Sequence, residues 1–462
     1  MNIIREIIKS WANEEGLVNS TEELLLWIKN LNETTHVSIK ECSLEDSSFW
    51  FYDKQSGEIC NHKQAFFSIK GIRWFKDDIP FCEQPIIIQP EIGFLGIICR
   101  IINGTLHFLM QAKIEPGNIN CVQISPTIQA TKSNFIRVHG GKLPAYFELF
   151  NNLEKYQVIY DQIQSEQASR FYKKRNRNII MLVNDEFEIL PNFKWMTLGQ
   201  IKKLMEIDNL VNMDTRTVLS GLPFLCWNID ENEKIELSTF FKDKALFNSI
   251  FNSNPMDEIS YIYKALNNYK MFCNIKKDII PLYQLRDWNV DCFSISCKAE
   301  SDFIVKFYDI EIFGREVLRW TQPLFKARGM ATFGLISRVI DGRREFLVKI
   351  CPEIGSFDLA EIGPSIQWES THKECNDTDI DLLFRKKMNE KQGFMINVVL
   401  SEEGGRFYHE QNYNIIIEIP NRDITELPNG YFWVSYSTLN YLVQVNNCLN
   451  IQLRNLLSLI KL

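Results

Sequence analysis

Between Gln111 and His139 the sequence QAKIEPGNINCVQISPTIQATKSNFIRVH gathers amides, hydroxyls and a few charges into one short stretch. If LMQAKIEP is a strand, its period of two puts Gln111, Lys113 and Glu115 on one face, where a core strand would carry apolar side chains. Taken singly each residue has an ordinary explanation. Gln111 fits a sheet edge, Lys113 and Glu115 a surface ion pair worth ~0 to 1 kcal/mol, and His139 before Gly140-Gly141 a turn. Taken together with Asn118, Ser125, Thr127, Gln129, Thr131, Ser133, Asn134 and Arg137 they read as the wall of a ligand pocket, with an ammonium, a carboxylate and an imidazole of the kind that move protons.

The chain holds no GxGxxG opening a helix, no GxxxxGK[ST], no HExxH and no GxSxG, so the common nucleotide, zinc and serine-nucleophile motifs are missing. Its six histidines are dispersed and its twelve cysteines stand singly without a CxxC pair, which suggests neither a metal ribbon nor a disulfide framework and suits a reducing cytoplasm. A formal charge of −7 and a pI near 5.6 argue against a sequence-independent grip on nucleic acid. The one dense basic run, Lys173 to Arg177, precedes the apolar IIMLV and reads as the start of a strand or a phosphate-facing edge. The N-terminal MNIIREIIKSWANEEG lacks the unbroken apolar run of a signal peptide, and no later run approaches the ~18 apolar residues of a spanning helix.

The stretch from Gln84 to Gly141 recurs from Gln322 at an offset of 322 − 84 = 238, matching Gly96, Arg100, Gly104, Phe108, Glu115, Gly117, Pro126 and Gln129 to Gly334, Arg338, Gly342, Phe346, Glu353, Gly355, Pro364 and Gln367. SEQASRF at Ser165 meets SEEGGRF at Ser401 at an offset of 236, and Arg216 meets Arg454 at 238. We read a tandem duplication, divided at 1–235 and 236–462. Two short helices open the chain, the second behind a Ser20/Glu23 capping box. GFLGIICRII and TLHFLMQAKI, joined by Asn103-Gly104, form a hairpin in the first half, and Asp341-Gly342 marks its counterpart in the second. The polar stretch from Glu115 to Gly141 reads as irregular chain. A later strand and two helices close each half, near Thr197 and Arg216 and near Ser437 and Arg454. Residues 223–251 read as a packed connection. Without βαβ alternation the class is α+β.

QAKIEPGN, SPTIQATKSN, SEQASRF, the NRN at Asn176, VNMDTRTVLS and SEEGGRFYH closely resemble the NDP-hexose 2,3-dehydratases, over nearly the whole chain and including its duplication. The second half departs mildly at GPSIQ and carries Cys351 where the first has Lys113, so its pocket need not be equivalent. The resemblance implies two Nudix-hydrolase-like domains, a substrate of the dTDP-4-keto-6-deoxyglucose type, and loss of the C2 hydroxyl to a 3,4-diketo-2,6-dideoxy sugar. It also implies no cofactor, a homodimer, and a ketoreductase acting next. On that chemistry Glu115 or His139 serves as base or acid and Lys113 faces the developing oxyanion. Arg170, Arg216, Arg406 and Arg454, the arginines shared by both halves outside the hairpin, would line two nucleotide pockets. Gln111, Asn118, Thr127, Gln129, Asn134, Gln367 and Glu402 would supply further contacts. A non-catalytic sugar-nucleotide binder would use the same pockets. A Nudix hydrolase would need an RExxEExG helix, to which SEEGGRF is the nearest text and does not conform.

Overall fold

The computed structural model describes residues 3–47, 49–63, 66–131, 143–224, 229–313 and 317–462. The two opening helices are Ile3–Ala12 and Thr21–Thr34, the latter closed by the Ser20/Glu23 capping box. Helices and sheets are mixed throughout, and the described strands form four sheets.

The hairpin of the first half pairs Gly93–Ile102 with Thr105–Ile114, and that of the second pairs Thr332–Ile340 with Arg343–Pro352. At their tips Asn103 and Gly104 have φ of +50° and +75°, and Asp341 and Gly342 +49° and +72°. Two left-handed residues in succession are what a tight two-residue hairpin turn requires. Each hairpin is the centre of a seven-stranded mixed sheet. Its first strand runs parallel to Arg175–Leu182 in one half and to Gln411–Glu418 in the other. Its second strand pairs antiparallel with Phe193–Met196 or Tyr431–Ser435.

The stretch after Glu115 is more ordered than its composition suggests. Val122–Ser125 pairs with the second hairpin strand and Ile128–Ala130 with the first. Pro126, which has no N–H to pair, falls in the break between them. The chain therefore doubles back along the hairpin it has just left, placing Thr127 and Gln129 beside Lys113 and Glu115.

Two smaller sheets, of six strands each, are built from both halves. Val37–Cys42, from the first half, pairs with Phe303–Ile312 of the second in the register Val37↔Ile312. Ile275–Ile280, its counterpart, pairs with Ser68–Lys76 of the first in the register Ile275↔Lys76. The halves have thus exchanged their first strands. They also share a core: Ile97, Phe108 and Met196 belong to the same buried apolar cluster as Leu335, Phe346 and Leu453. The connection joins it through Leu237, Phe241, Leu246 and Ile250, on the helices Glu231–Ser238 and Lys244–Phe251 and the turn between them. No helix among the described residues is long and apolar enough to cross a membrane.

Candidate active site

The turn after each hairpin docks onto a loop of the other half. Gly117 N donates to Gly404 O at 2.7 Å and Gly117 O accepts from His409 N at 2.9 Å. The mirror contact has Gly355 N to Ala168 O at 2.8 Å and Lys173 N to Gly355 O at 2.7 Å. Only glycine permits this approach, because a Cβ on Gly117 would lie 1.5 Å from Phe407 O, and one on Gly355 1.9 Å from Phe171 O.

Above the first of these junctions opens a cavity of about 580 Å³, of the size that encloses a small organic ligand. The first half contributes Gln111, Lys113, Glu115, Thr127 and Gln129, together with Glu166, Lys174, Asn176 and Asp214; the second contributes Trp320, Glu403, Gly405 and Arg406. The period-two face of the hairpin strand thus points into a pocket. Phe49, Trp50 and Phe66 add aromatic wall.

Glu115 sits at the centre of the polar network. Its Oε1 accepts from Gln129 Nε2 at 3.1 Å and lies 3.4 Å from Lys113 Nζ. Gln129 Oε1 in turn accepts from Asn212 Nδ2 at 3.1 Å and Ser125 Oγ at 3.4 Å, which fixes the amide's orientation. Opposite stands Glu403, whose Oε1 accepts from Gly405 N at 2.9 Å. Burial, and then the nearby Glu115, push its carboxyl up to about 8, so it holds its proton at neutral pH. Burial likewise raises Glu166, and raises Asp214 well above the usual carboxylate range with help from Glu166, Glu403 and Glu115. Lys174, whose Nζ donates to Glu91 O at 2.6 Å, is lowered by burial to about 8.

The two arginines of the SExxxRF loops differ in what neutralises them. Arg406 donates to Gln89 Oε1 at 3.1 Å and Gly405 O at 2.9 Å, stacks over Phe66 and Phe67 at 4.4 and 4.5 Å, and has no carboxylate within ion-pair distance among the described residues. Arg170, its counterpart, is tied to Glu369 at 3.1 Å, with Glu410 at 4.0 Å. At the positions of Glu369 and Glu410 the first half carries Thr131 and Lys174. The cavity therefore holds a guanidinium with spare charge, while the second half has satisfied its own internally.

The amide frame is repeated almost unchanged in the second half: Gln367 Nε2 donates to Glu353 Oε1 at 3.1 Å and its Oε1 accepts from Asn450 Nδ2 at 2.9 Å. What differs are the ionisable groups. The register of the duplication matches Lys113, Asp214 and Glu403 with Cys351, Gln452 and Gln167.

Of the other residues singled out in the sequence, most lie elsewhere. Arg216 and Arg454 are fully buried and line no part of the cavity. They brace the halves reciprocally, Arg216 Nη2 donating to Ser401 O and Arg454 Nη2 to Ser165 O, both at 2.5 Å. Glu402 is held by Asn412 Nδ2 at 2.6 Å behind the loop. Asn118 pins its own turn through Cys121 O at 2.9 Å. Thr127 lines the cavity while accepting from Ile98 N at 3.0 Å, stitching the returning strand to the hairpin. Asn134 and His139 lie outside the described residues. No cluster of three or more metal-ligating side chains occurs among the described residues.

A family model described as NDP-hexose 2,3-dehydratase matches the chain twice, over residues 21–222 and 259–460. The chain belongs to the NDP-hexose 2,3-dehydratase family. It is 33% identical over 456 residues to the dTDP-4-dehydro-6-deoxy-alpha-D-glucopyranose 2,3-dehydratase of Saccharopolyspora spinosa, covering 96% of this chain and 91% of that protein. Proteins of the same name from Streptomyces violaceoruber and Amycolatopsis orientalis are 32% and 30% identical, with 96% and 98% of this chain covered and 98% and 93% of theirs. Membership in a dehydratase family gives the buried carboxyls and the ammonium groups of the cavity a reaction to serve. Sequence reasoning does not single out Glu403, Glu166 or Asp214, and meets Lys174 only as part of the basic run Lys173 to Arg177. The signal that finds three of them is the change of charge at matched positions, Gln167 for Glu403, Glu410 for Lys174 and Gln452 for Asp214, set against a retained amide frame.

Proposed function

We propose that the cavity removes water across C2 and C3 of dTDP-4-keto-6-deoxyglucose, and that catalysis belongs to the junction built by Lys113, Glu115 and Glu403. The observation that carries this reading is the pairing, within one enclosed space, of a hydrogen-bonded carboxylate with a buried carboxyl of raised pKa and a lysine. The C3 hydrogen lies α to the C4 ketone and is acidic. Glu115, oriented by Gln129, takes it, and Lys113 faces the charge that develops on the enolate. The C2–O bond then breaks as Glu403 gives its proton to the departing hydroxyl. One water leaves, and the resulting C3 enol tautomerises to the 3,4-diketone. No electron is gained or lost. Arg406, with its charge unspent, is placed to hold the diphosphate, for which a planar guanidinium is suited.

Mass spectrometry of a dTDP-4-keto-6-deoxy sugar incubated with the protein tests this: loss of one water is expected, while cleavage at phosphate or no change overturns it. Glu115→Gln and Lys113→Ala are each expected to lower kcat by ~10²-fold, read by the same assay; near-normal turnover removes them from the chemistry. Arg406→Met is expected to weaken dTDP binding by ~10- to 100-fold, the worth of hydrogen bonds to a charged group, in a calorimetric titration. Arg170→Met serves as the comparison, since it strands Glu369 and Glu410 and is expected to lower stability.

Each half, on our reading, descends from a Nudix-like unit, divided near residue 235. The support is the mixed sheet with its parallel pair beside a hairpin, found twice. The 3-keto product calls for a reductase as the next enzyme. We further assign the enzyme to the cytoplasm as a homodimer, from its family and from the cysteines, unpaired among the described residues.

A further inference from the structure

The loop that supplies Glu403 lacks two side chains that its counterpart carries: SEEGGRF has Gly404 and Gly405 where SEQASRF has Ala168 and Ser169. Gly405 lines the cavity, and its φ is not in the left-handed region that by itself calls for glycine. The reason for a glycine there lies in what surrounds it. A Cβ on Gly405 would lie 2.2 Å from Glu403 Oε1 and 3.2 Å from its Cδ, with Glu115 Oε1 3.5 Å away. The first distance is an overlap and the last an ordinary contact. An added methyl therefore displaces the carboxyl of Glu403 and leaves that of Glu115 where it is.

What holds Glu403 in this place is the N–H of Gly405 itself, donated to Oε1 at 2.9 Å. The glutamate folds back over its own chain to accept a bond from two residues on, and the fold-back needs that residue to be bare. The second half supplies the comparison within one molecule. Gln167 stands at the matched position and is followed by Ser169, and its Oε1 is buried with no hydrogen-bond partner among the described residues. An amide oxygen accepts such a bond as a carboxyl oxygen does, so the missing bond follows the side chain at 169. The bond to Gly405 also decides which oxygen of the neutral acid is the donor. A proton on Oε1 would face the N–H, so it sits on Oε2.

We propose that Gly405 is a positioning residue for the elimination: its lack of a side chain lets Glu403 fold back onto the Gly405 N–H, which sets the acid beside Glu115 with Oε2 as the oxygen that gives the proton. The proposal rests on the dehydration reading above. Gly405 acts through Glu403 rather than on the sugar.

The test is Gly405→Ala, alone and combined with Glu403→Gln. The atoms that the new methyl overlaps belong to the end of one flexible side chain, so the variant is expected to fold and to keep dTDP binding within a few-fold of wild type in a calorimetric titration. Water loss is expected to slow through kcat by ~10- to 100-fold, the effect of misplacing a reacting group by about 1 Å, while exchange of the C3 hydrogen with solvent deuterium is kept. In the Glu403→Gln background the same substitution is expected to change kcat by less than about twofold, because the acid it displaces is already gone. Near-normal turnover, equal loss of exchange and elimination, loss of dTDP binding, a deficit that multiplies with that of Glu403→Gln, or failure to fold each overturns the proposal. A crystal structure of Gly405→Ala reads the geometry whether or not the sugar reacts. The Glu403 carboxyl is expected to have left the N–H at position 405; found in place, it overturns the proposal. Found displaced while the wild type loses no water from the sugar, it supports the positioning and overturns the reaction reading alone.

Discussion

Glu403→Gln is expected to lower kcat by about 10²- to 10⁴-fold, the range for loss of a general acid, while dTDP binding stays within a few-fold of wild type. The amide is nearly isosteric, is already present as Gln167 at the matched position, and can still accept the bond from Gly405 N. What it cannot do is release a proton to the oxygen leaving C2. Hydroxide is a poor leaving group, so the deficit falls on C–O cleavage rather than on C3 deprotonation. Exchange of the C3 hydrogen with deuterium from solvent, followed by mass spectrometry, separates the two steps. The variant is expected to exchange without eliminating. Equal loss of exchange and elimination would assign Glu403 to some other task.

The second large effect is on folding. Gly117→Ala places a methyl 1.5 Å from Phe407 O, 2.7 Å from Phe407 C and 2.8 Å from Gly404 O. All three are backbone atoms, so no side chain can rotate away, and relief requires the turn to lift off the loop. Lifting it breaks the Gly117–Gly404 and His409–Gly117 hydrogen bonds. A loss of more than about 3 kcal/mol is expected, the upper part of the range for overpacking, measured by denaturant unfolding. The same substitution at Gly355 meets Phe171 O at 1.9 Å and Ala168 O at 2.5 Å and is expected to destabilise comparably. The pair differs in function: near-native conditions should leave Gly355→Ala the more active of the two, because its junction carries Cys351 and Gln167 in place of the lysine and the acid.

Local signals were legible in the sequence. Asn103-Gly104 and Asp341-Gly342 named both hairpins, Ser20 and Glu23 named a helix start, and period two named the cavity-facing strand. Each is decided by a few adjacent residues. The returning strands Val122–Ser125 and Ile128–Ala130 were hidden because Ser, Thr, Pro and Gln describe a loop by composition, while their pairing comes from the hairpin edge beside them. Arg216 and Arg454 show the same limit from the other side. A matched pair of buried arginines suits a brace as well as a phosphate site, and only the carbonyls of Ser401 and Ser165, from the opposite half, decide which. Strand exchange was invisible for a simpler reason: Val37–Cys42 and Ile275–Ile280 have the same character and precede similar partners, so nothing in either one says which sheet it joins.

That exchange has a bearing on how such a chain could arise. A single repeat on its own would carry an orphaned first strand and an incomplete smaller sheet, a template for pairing with another molecule, so its stable form would be a two-chain assembly with two identical clefts. Covalent linkage locks one unlike partner to each copy and makes a mixed pair the only product. Under that arrangement one cleft could surrender its ionisable groups to sequence drift while the other kept them, with no fraction of the population wasted on the wrong combination.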